Sequence, residues 1–242
     1  MADSRPAPDH VVLEGFHPLK HALRFGGVVR SVFAADPDHV EGLAARLAPD
    51  LLAVVRRLPL EVVAPEELAR LAGGRSHGNP DVVAYAERPT IDVDRVLEHA
   101  LAPVVVLEDP THLGNIGAVI RVAAAASAAA VLTTGALDPW HSAAVRGSAG
   151  LHYALAVARV KLEDVLARDR ALIAADPDGD AEPGPLPRRA TLVLGSERRG
   201  LTDRVLELAD VRVCIPMREG VSSLNLATAA AVLLYAGGPR HG

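Results

Sequence analysis

The sequence predicts an α/β protein of two domains, the larger one built on a mostly parallel sheet with helices on both faces. Two observations carry this. Beyond Pro103, five short apolar runs (Val104 to Leu107, Ala130 to Leu132, Ala171 to Ala174, Thr191 to Leu194 and Val211 to Ile215) alternate with helical segments, as parallel strands covered on both faces do. Before Thr90, shorter strands and helices alternate over roughly eighty residues, a size that can carry its own core. Residues 1–90 are therefore expected as one domain, 91–102 as a linker and 103–242 as the second domain.

Residues Val11 to Arg24 read as a short lead-in and an amphipathic helix, with Leu19, Ala22 and Leu23 at helical spacing and Gly26-Gly27 ending it. Val28 to Ala34 alternates as a strand. Asp38 to Leu47 and Pro49 to Arg57 read as helices, and Glu61 to Val63 as a short strand before a helix that Pro65 starts and Leu71 ends. The stretch from Gly73 to Pro80 is a loop, and Val82 to Ala86 is a further strand. In the second domain, helices are expected around Ile116 to Ala126, Ser142 to Ala149, Leu162 to Arg168 and Asp203 to Leu208. Asp176 to Pro187, rich in Pro, Gly and Asp, is expected as a mobile surface loop. Pro216, which has no N–H to give, stops the last strand. After a polar loop from Arg218 to Ser223, an almost uncharged run from Leu224 to Ala236 reads as a helix buried on most sides, with Ser222 or Ser223 as candidate N-cap.

Composition narrows the function. No run approaches the ~20 apolar residues of a membrane span. The polar, Pro-rich start from Met1 to His10 lacks the basic and apolar regions of a secretory signal, so a cytoplasmic protein is expected. Cys214 is the only cysteine and sits in an apolar strand, which favours a small buried hydrophobe over a nucleophile. His17 and His21 are one helical turn apart, but no Cys or acidic cluster accompanies them, and no metal is expected. A net charge of −5 argues against non-specific coating of nucleic acid but allows a local basic face, and the low aromatic content argues against base stacking.

In such sheets ligands bind beyond the carboxyl ends of the strands. After the first long strand comes Asn115-Ile116-Gly117, with Arg121 nearly two helical turns beyond Asn115 and roughly over the same side. The full G-x-G-x-x-G fingerprint of dinucleotide sites is absent. After the fourth strand comes Gly195-Ser196-Glu197-Arg198-Arg199-Gly200-Leu201, an acid beside glycines at a helix entry. After the fifth, Ser223 and Asn225 stand at a helix N-terminus, where free N–H groups favour electron-rich ligands.

Together these segments resemble the SpoU (TrmH-like) branch of the SPOUT RNA methyltransferases. The resemblance rests on N-x-G-x-x-x-R (Asn115, Gly117, Arg121), G-S-E-x-x-G-L (Gly195, Ser196, Glu197, Gly200, Leu201) and I-P-M-x(5)-S-L-N (Ile215, Pro216, Met217, Ser223, Leu224, Asn225), and covers about residues 103–238. Ser127 stands where the first motif usually has Gly. The N-terminal part, with Leu13-Glu14-Gly15 and His77-Gly78, resembles the small ribosomal-protein-like RNA-binding domain that many members carry.

The resemblance implies a C-terminal deep trefoil knot, a homodimer, and S-adenosylmethionine held by the second and third motif loops. Gly195, Ile215, Met217 and Leu224 would contact this cofactor, and the acceptor would be a ribose 2′-hydroxyl of RNA. A guanidinium rarely gives up its proton. Arg121 is therefore expected to act as an electrostatic anchor for phosphate and developing alkoxide. Asn115 and Glu197 would orient it, while Ser223 and Asn225 would hold the third loop and ribose in line. Ribosomal RNA is the favoured substrate and transfer RNA the alternative, on the premise that Lys20, Arg24, Arg30 and Arg75 share one basic face. A non-catalytic RNA-binding or ribosome-assembly protein on the same scaffold remains open.

Overall fold

The computed structural model describes residues 10–73 and 80–237. Arg75, His77 and Gly78 lie outside the described residues. Contacts divide the chain into two compact units, Met1–Thr90 with Trp140–Ala154, and Ile91–Pro139 with Leu155–Gly242.

In the first unit, the lead-in before the first helix is itself a strand, β1 (His10–Glu14). Its residues Val11, Leu13 and Glu14 are buried, because β1 pairs antiparallel with β4 (Val82–Glu87) in the register Leu13 to Ala84. The other side of β4 pairs with β2 (Val29–Ala34), and β2 runs parallel to the short edge strand β3 (Leu60–Val62), giving the order β1-β4-β2-β3. Between these run α1 (Phe16–Arg24), α2 (Pro37–Leu47), α3 (Leu52–Val55) and α4 (Pro65–Leu71). Pro49–Leu51 is a 3-10 turn, so the helix expected from Pro49 to Arg57 keeps only its second half as α. Phe33, Leu68, Ala72, Val83 and Tyr85 form an apolar cluster, with the Phe33 and Tyr85 rings edge to face at 5.4 Å.

A segment far along the chain completes this unit. Helix α7 (Ser142–Gly147) packs on β1, and Arg146 Nη1 donates to Glu14 at 2.7 Å, satisfying a carboxylate side chain that is only 4% exposed. His21 Nδ1 lies 2.6 Å from the Ala149 carbonyl, and Tyr153 Oη donates to the Glu87 carbonyl at 3.0 Å. Trp140 stacks obliquely on His152, which is fully buried and 2.7 Å from Ser148 Oγ.

Among the described residues the second unit holds six strands, all parallel, in the order β10-β8-β9-β5-β6-β7. They are β5 (Val104–Leu107), β6 (Ala130–Thr133), β7 (Ala156–Arg159), β8 (Ala171–Ala175), β9 (Ala190–Leu194) and β10 (Val211–Val213). Strand β7 is additional to the five apolar runs, because an edge strand is wetter and alternates instead of reading as a solid apolar block. Helices α5 (Val93–His99), α8 (Leu162–Leu166) and α9 (Asp203–Leu208) pack with Val104, Val106, Leu132 and Val193 on one face. Leu97 of α5 is fully buried in that core, so part of the segment expected as a linker is integral to the second unit. The alternate residues Val105, Leu107, Val131 and Leu192 are equally buried and point to the other face, where α6 (Leu113–Ala125) packs against α10 (Leu226–Tyr235).

One buried cation fastens this sheet. The guanidinium of Arg170, just before β8, donates to the carbonyls of Leu97, Ala100, Ala102 and Ala190 and to Thr191 Oγ1 at distances between 2.7 and 3.4 Å. Three of those carbonyls belong to the end of α5 and the turn after it, whose acceptors would otherwise lack partners. The loop from Asp176 to Pro187, expected to be mobile, is also tied down. Ala181 bridges to Val213, Leu186 is buried, and Asp176 accepts from Arg212 Nε at 2.7 Å.

No helix among the described residues is long and apolar enough to cross a membrane.

Candidate active site

Every strand of a parallel sheet ends its carbonyl ladder on the same edge, so the loops that follow share one rim. On that rim the loops after β5, β8, β9 and β10 enclose a cavity of about 580 Å³. Of the nine residues singled out in the sequence, eight line it: Asn115, Gly195, Glu197, Ile215, Met217, Ser223, Leu224 and Asn225. Arg121 is the exception. It lies on α6, exposed, outside the cavity lining, and neither Asn115 nor Glu197 hydrogen-bonds it.

Asn115 and Glu197 instead hold each other. Asn115 Nδ2 donates to Glu197 Oε1 at 2.7 Å, while Thr111 gives Glu197 Oε2 two bonds, from its N–H at 3.0 Å and its hydroxyl at 2.8 Å. Asn225 Nδ2 donates to Asn115 Oδ1 at 3.1 Å, and Asn225 Oδ1 accepts the Ala227 N–H at 2.9 Å. The N-cap of α10 is therefore Asn225, not Ser222 or Ser223, and a single polar chain runs from that helix start through Asn115 to Glu197. Partial burial pushes the Glu197 carboxyl up, yet the Asn115 amide, the Thr111 N–H, its own N–H and the Thr111 hydroxyl all favour the anion and bring it down to about 2.

The β5 and β9 loops are fastened at two further points. Glu108, 4% exposed, accepts the Thr202 N–H at 2.9 Å and hydroxyl at 2.7 Å. Arg199 Nη2 donates to Asp109 Oδ2 at 2.6 Å. The β9 loop folds back on itself through Ser196 N to Gly200 O (3.1 Å) and Gly200 N to Ser196 O (3.0 Å). Gly195 is required by this fold-back: a Cβ there would lie 2.1 Å from the Gly200 carbonyl carbon and 2.4 Å from Leu201 N. The glycine expected to admit a ligand is thus first of all admitting its own chain.

Sequence reading missed Thr111, His112 and Asp176. The first two follow β5 and the third follows β8, so the rule that post-strand residues matter was signal enough to find them. Ser127, at φ 57°, is the left-handed residue that ends α6, with Ala128 N donating to Ala123 O at 2.9 Å across it. This conformation explains why glycine suits the position.

An apolar pocket flanked by a fixed carboxylate and amides, at the carboxyl rim of a parallel sheet, defines an α/β domain with a ligand site at its strand ends. Residues 102–235 match the SpoU rRNA Methylase family, and the chain belongs to it. A 23S rRNA (uridine(2479)-2′-O)-methyltransferase of Streptomyces viridochromogenes is 31% identical over 96% of this chain and 84% of its own length. The Bacillus subtilis 23S rRNA (guanosine(2553)-2′-O)-methyltransferase RlmP is 28% identical over 93% of this chain and 86% of its own. Among solved structures, the SpoU methyltransferase AviRb from Streptomyces viridochromogenes, in complex with its cofactor AdoMet, superposes with a TM-score of 0.77 at 28% identity, covering 94% of this chain and 89% of that one.

Proposed function

We propose that this chain transfers a methyl group from S-adenosylmethionine to a ribose 2′-hydroxyl of ribosomal RNA. The observation that carries the reading is the single cavity into which three separate sequence motifs converge, with Glu197, Asn115 and Asn225 joined in one hydrogen-bonded chain. The cavity suits the cofactor. Leu194, Ile215, Met217 and Leu226 offer an apolar wall for a purine, and Asp176, Ser196 and Ser223 offer polar atoms for its hydroxyl and amino-acid ends. When bound, S-adenosylmethionine supplies an electrophilic methyl group. Gly195, Ile215, Met217 and Leu224 hold it, Asn115 and Glu197 fix the shape of the rim, and Ser223 and Asn225 hold the third loop and the ribose.

Arg121 serves as anion anchor in this reading, from a second copy of the chain. Support for a homodimer comes from α10, an uncharged helix that exposes Val232 (37%) and Tyr235 (44%) beside α6, which carries Arg121. The knot implied by the family, a cytoplasmic location and RNA binding by the N-terminal unit belong to the same proposal. The basic face expected on that unit contributes less than its charge count suggests, since Arg24 is held by Asp50 and Arg30 by Glu87.

The test is methyl transfer from labelled S-adenosylmethionine to separated, unmodified ribosomal and transfer RNA, with Arg121→Ala in parallel. Label in ribosomal RNA that the variant loses is the expected result. Label in transfer RNA alone refutes the substrate, and cofactor binding without label in either pool supports the non-catalytic reading.

A further inference from the structure

A ribose 2′-hydroxyl is a competent nucleophile only as it loses its proton, and the site as described names no group to receive it. Arg121, the anion anchor that a second copy supplies in the reading above, keeps its protons. Glu197, at about 2, is too weak a base near neutral pH, and both its oxygens already accept from Asn115 and Thr111. Asp176 accepts from Arg212 Nε at 2.7 Å on one oxygen and from the Asp178 N–H at 3.1 Å on the other. Arg198 is a cation, and the serine hydroxyls are poor bases without a partner.

His112 remains. It lines the same cavity as Asn115 and stands three residues before it, at the N-cap position of α6. Its backbone carbonyl starts the helix by accepting the Asn115 and Ile116 N–H groups at 3.1 Å, which fixes the residue in place. Its imidazole caps no backbone N–H and has no hydrogen-bond partner among the described residues. Histidine is also the side chain whose ordinary titration lies near neutral pH.

We propose that His112 is the general base of this active site, taking the 2′-hydroxyl proton; the inference rests on the methyltransferase reading above. As the ribose oxygen forms its bond to the methyl carbon, the carbon–sulfur bond breaks and its electron pair stays on sulfur, which becomes a neutral thioether. The hydroxyl proton passes to an imidazole nitrogen and from there to solvent, so no further reactant is needed. The charged groups sharing the cavity with His112 are Glu197 and Arg198 from the β9 loop and Asp176 from the β8 loop. The first turn of α6 carries no acid, and Asp109 just before it is held by Arg199.

The experiment is single-turnover methyl transfer to 23S ribosomal RNA transcribed in vitro, measured from about pH 5.5 to 9 for the native chain, His112→Gln and His112→Ala. Calorimetric binding of S-adenosylmethionine accompanies each, as a check that the fold and cavity persist. In the native chain the rate should fall on the acid side. In His112→Gln it should drop about 10²-fold or more and lose that acid limb, with cofactor binding retained. Added imidazole should restore part of the rate to His112→Ala. A drop below about tenfold, an acid limb that survives the substitution, or no rescue by imidazole overturns the assignment while leaving the methyltransferase reading intact. Absence of transfer by the native chain would remove that reading and this inference with it.

Discussion

Replacing Gly195 by Ala should disable the site without unfolding the protein, and the structure supplies the magnitude. The new Cβ would start 2.1 Å from the Gly200 carbonyl carbon and must reach the 3.4 Å of ordinary contact, a displacement of about 1.3 Å. What it meets is backbone, so no side chain can rotate away. The strain must open the Ser196 to Gly200 fold-back, and Glu197 sits inside that segment. Moving Glu197 by this distance breaks its 2.7 Å bond from Asn115 and the pair from Thr111. A misplacement of roughly 1 Å in a positioned site costs about 10²-fold in rate. We therefore expect methyl transfer to fall about 10²-fold and cofactor affinity to weaken, with an unchanged far-ultraviolet circular dichroism spectrum. Gly42→Ala is the control. It lies exposed within α2 with nothing within 4 Å of the added carbon, and should be neutral or stabilise by about 0.5–1 kcal/mol. A Gly195→Ala protein that binds cofactor and transfers methyl groups like the native chain would refute the role given to this fold-back.

Arg170→Met should lower unfolding free energy by about 2–5 kcal/mol in urea titrations, since it strips donors from the buried carbonyls of Leu97 and Ala190; Arg170→Lys should recover little, because one ammonium cannot span five acceptors. Glu197→Gln puts an amide against the donors of Thr111 or Asn115 and should slow methyl transfer by at least about tenfold. Because the folded state holds Glu197 at about 2, below its unfolded value, its contribution to stability is complete above the ordinary carboxylate range and fades only as pH falls toward 2. Any loss of activity between about pH 5 and 7 therefore has another origin, and a Glu197→Gln variant that abolished such a limb would contradict this. Ser127→Gly should raise stability by about 1 kcal/mol by relieving the left-handed conformation at φ 57°, read as a higher melting temperature. A fragment beginning at Ile91 should aggregate, because it keeps the buried Ala144 and Val145 of α7 while losing β1, on which α7 packs in the first unit. A soluble fragment with a sharp melting transition would argue against that.

The long apolar strands were legible one by one, because a strand buried on both faces writes its burial into consecutive residues: Val104 to Leu107 reads as it folds. Two of the three motif loops follow such strands, β5 and β9, while the third follows the edge strand β10, and eight of the nine residues chosen in them line one cavity. Edges were harder to read. β1 and β7 are short and partly wet, and only their pairing with β4 and β6 makes them strands. The position of α7 could not be inferred locally either, because its place on β1 depends on Arg146 meeting Glu14 across more than a hundred residues of chain. The same holds within the site. Sequence spacing put Asn115 and Arg121 on one side of a helix, and helical geometry guaranteed that much. Which acid, amide or cation each would meet depended on how loops from separate strands pack at the rim. That packing gave Asn115 to Glu197 and Asn225, left Arg121 facing outward and brought His112 into the cavity.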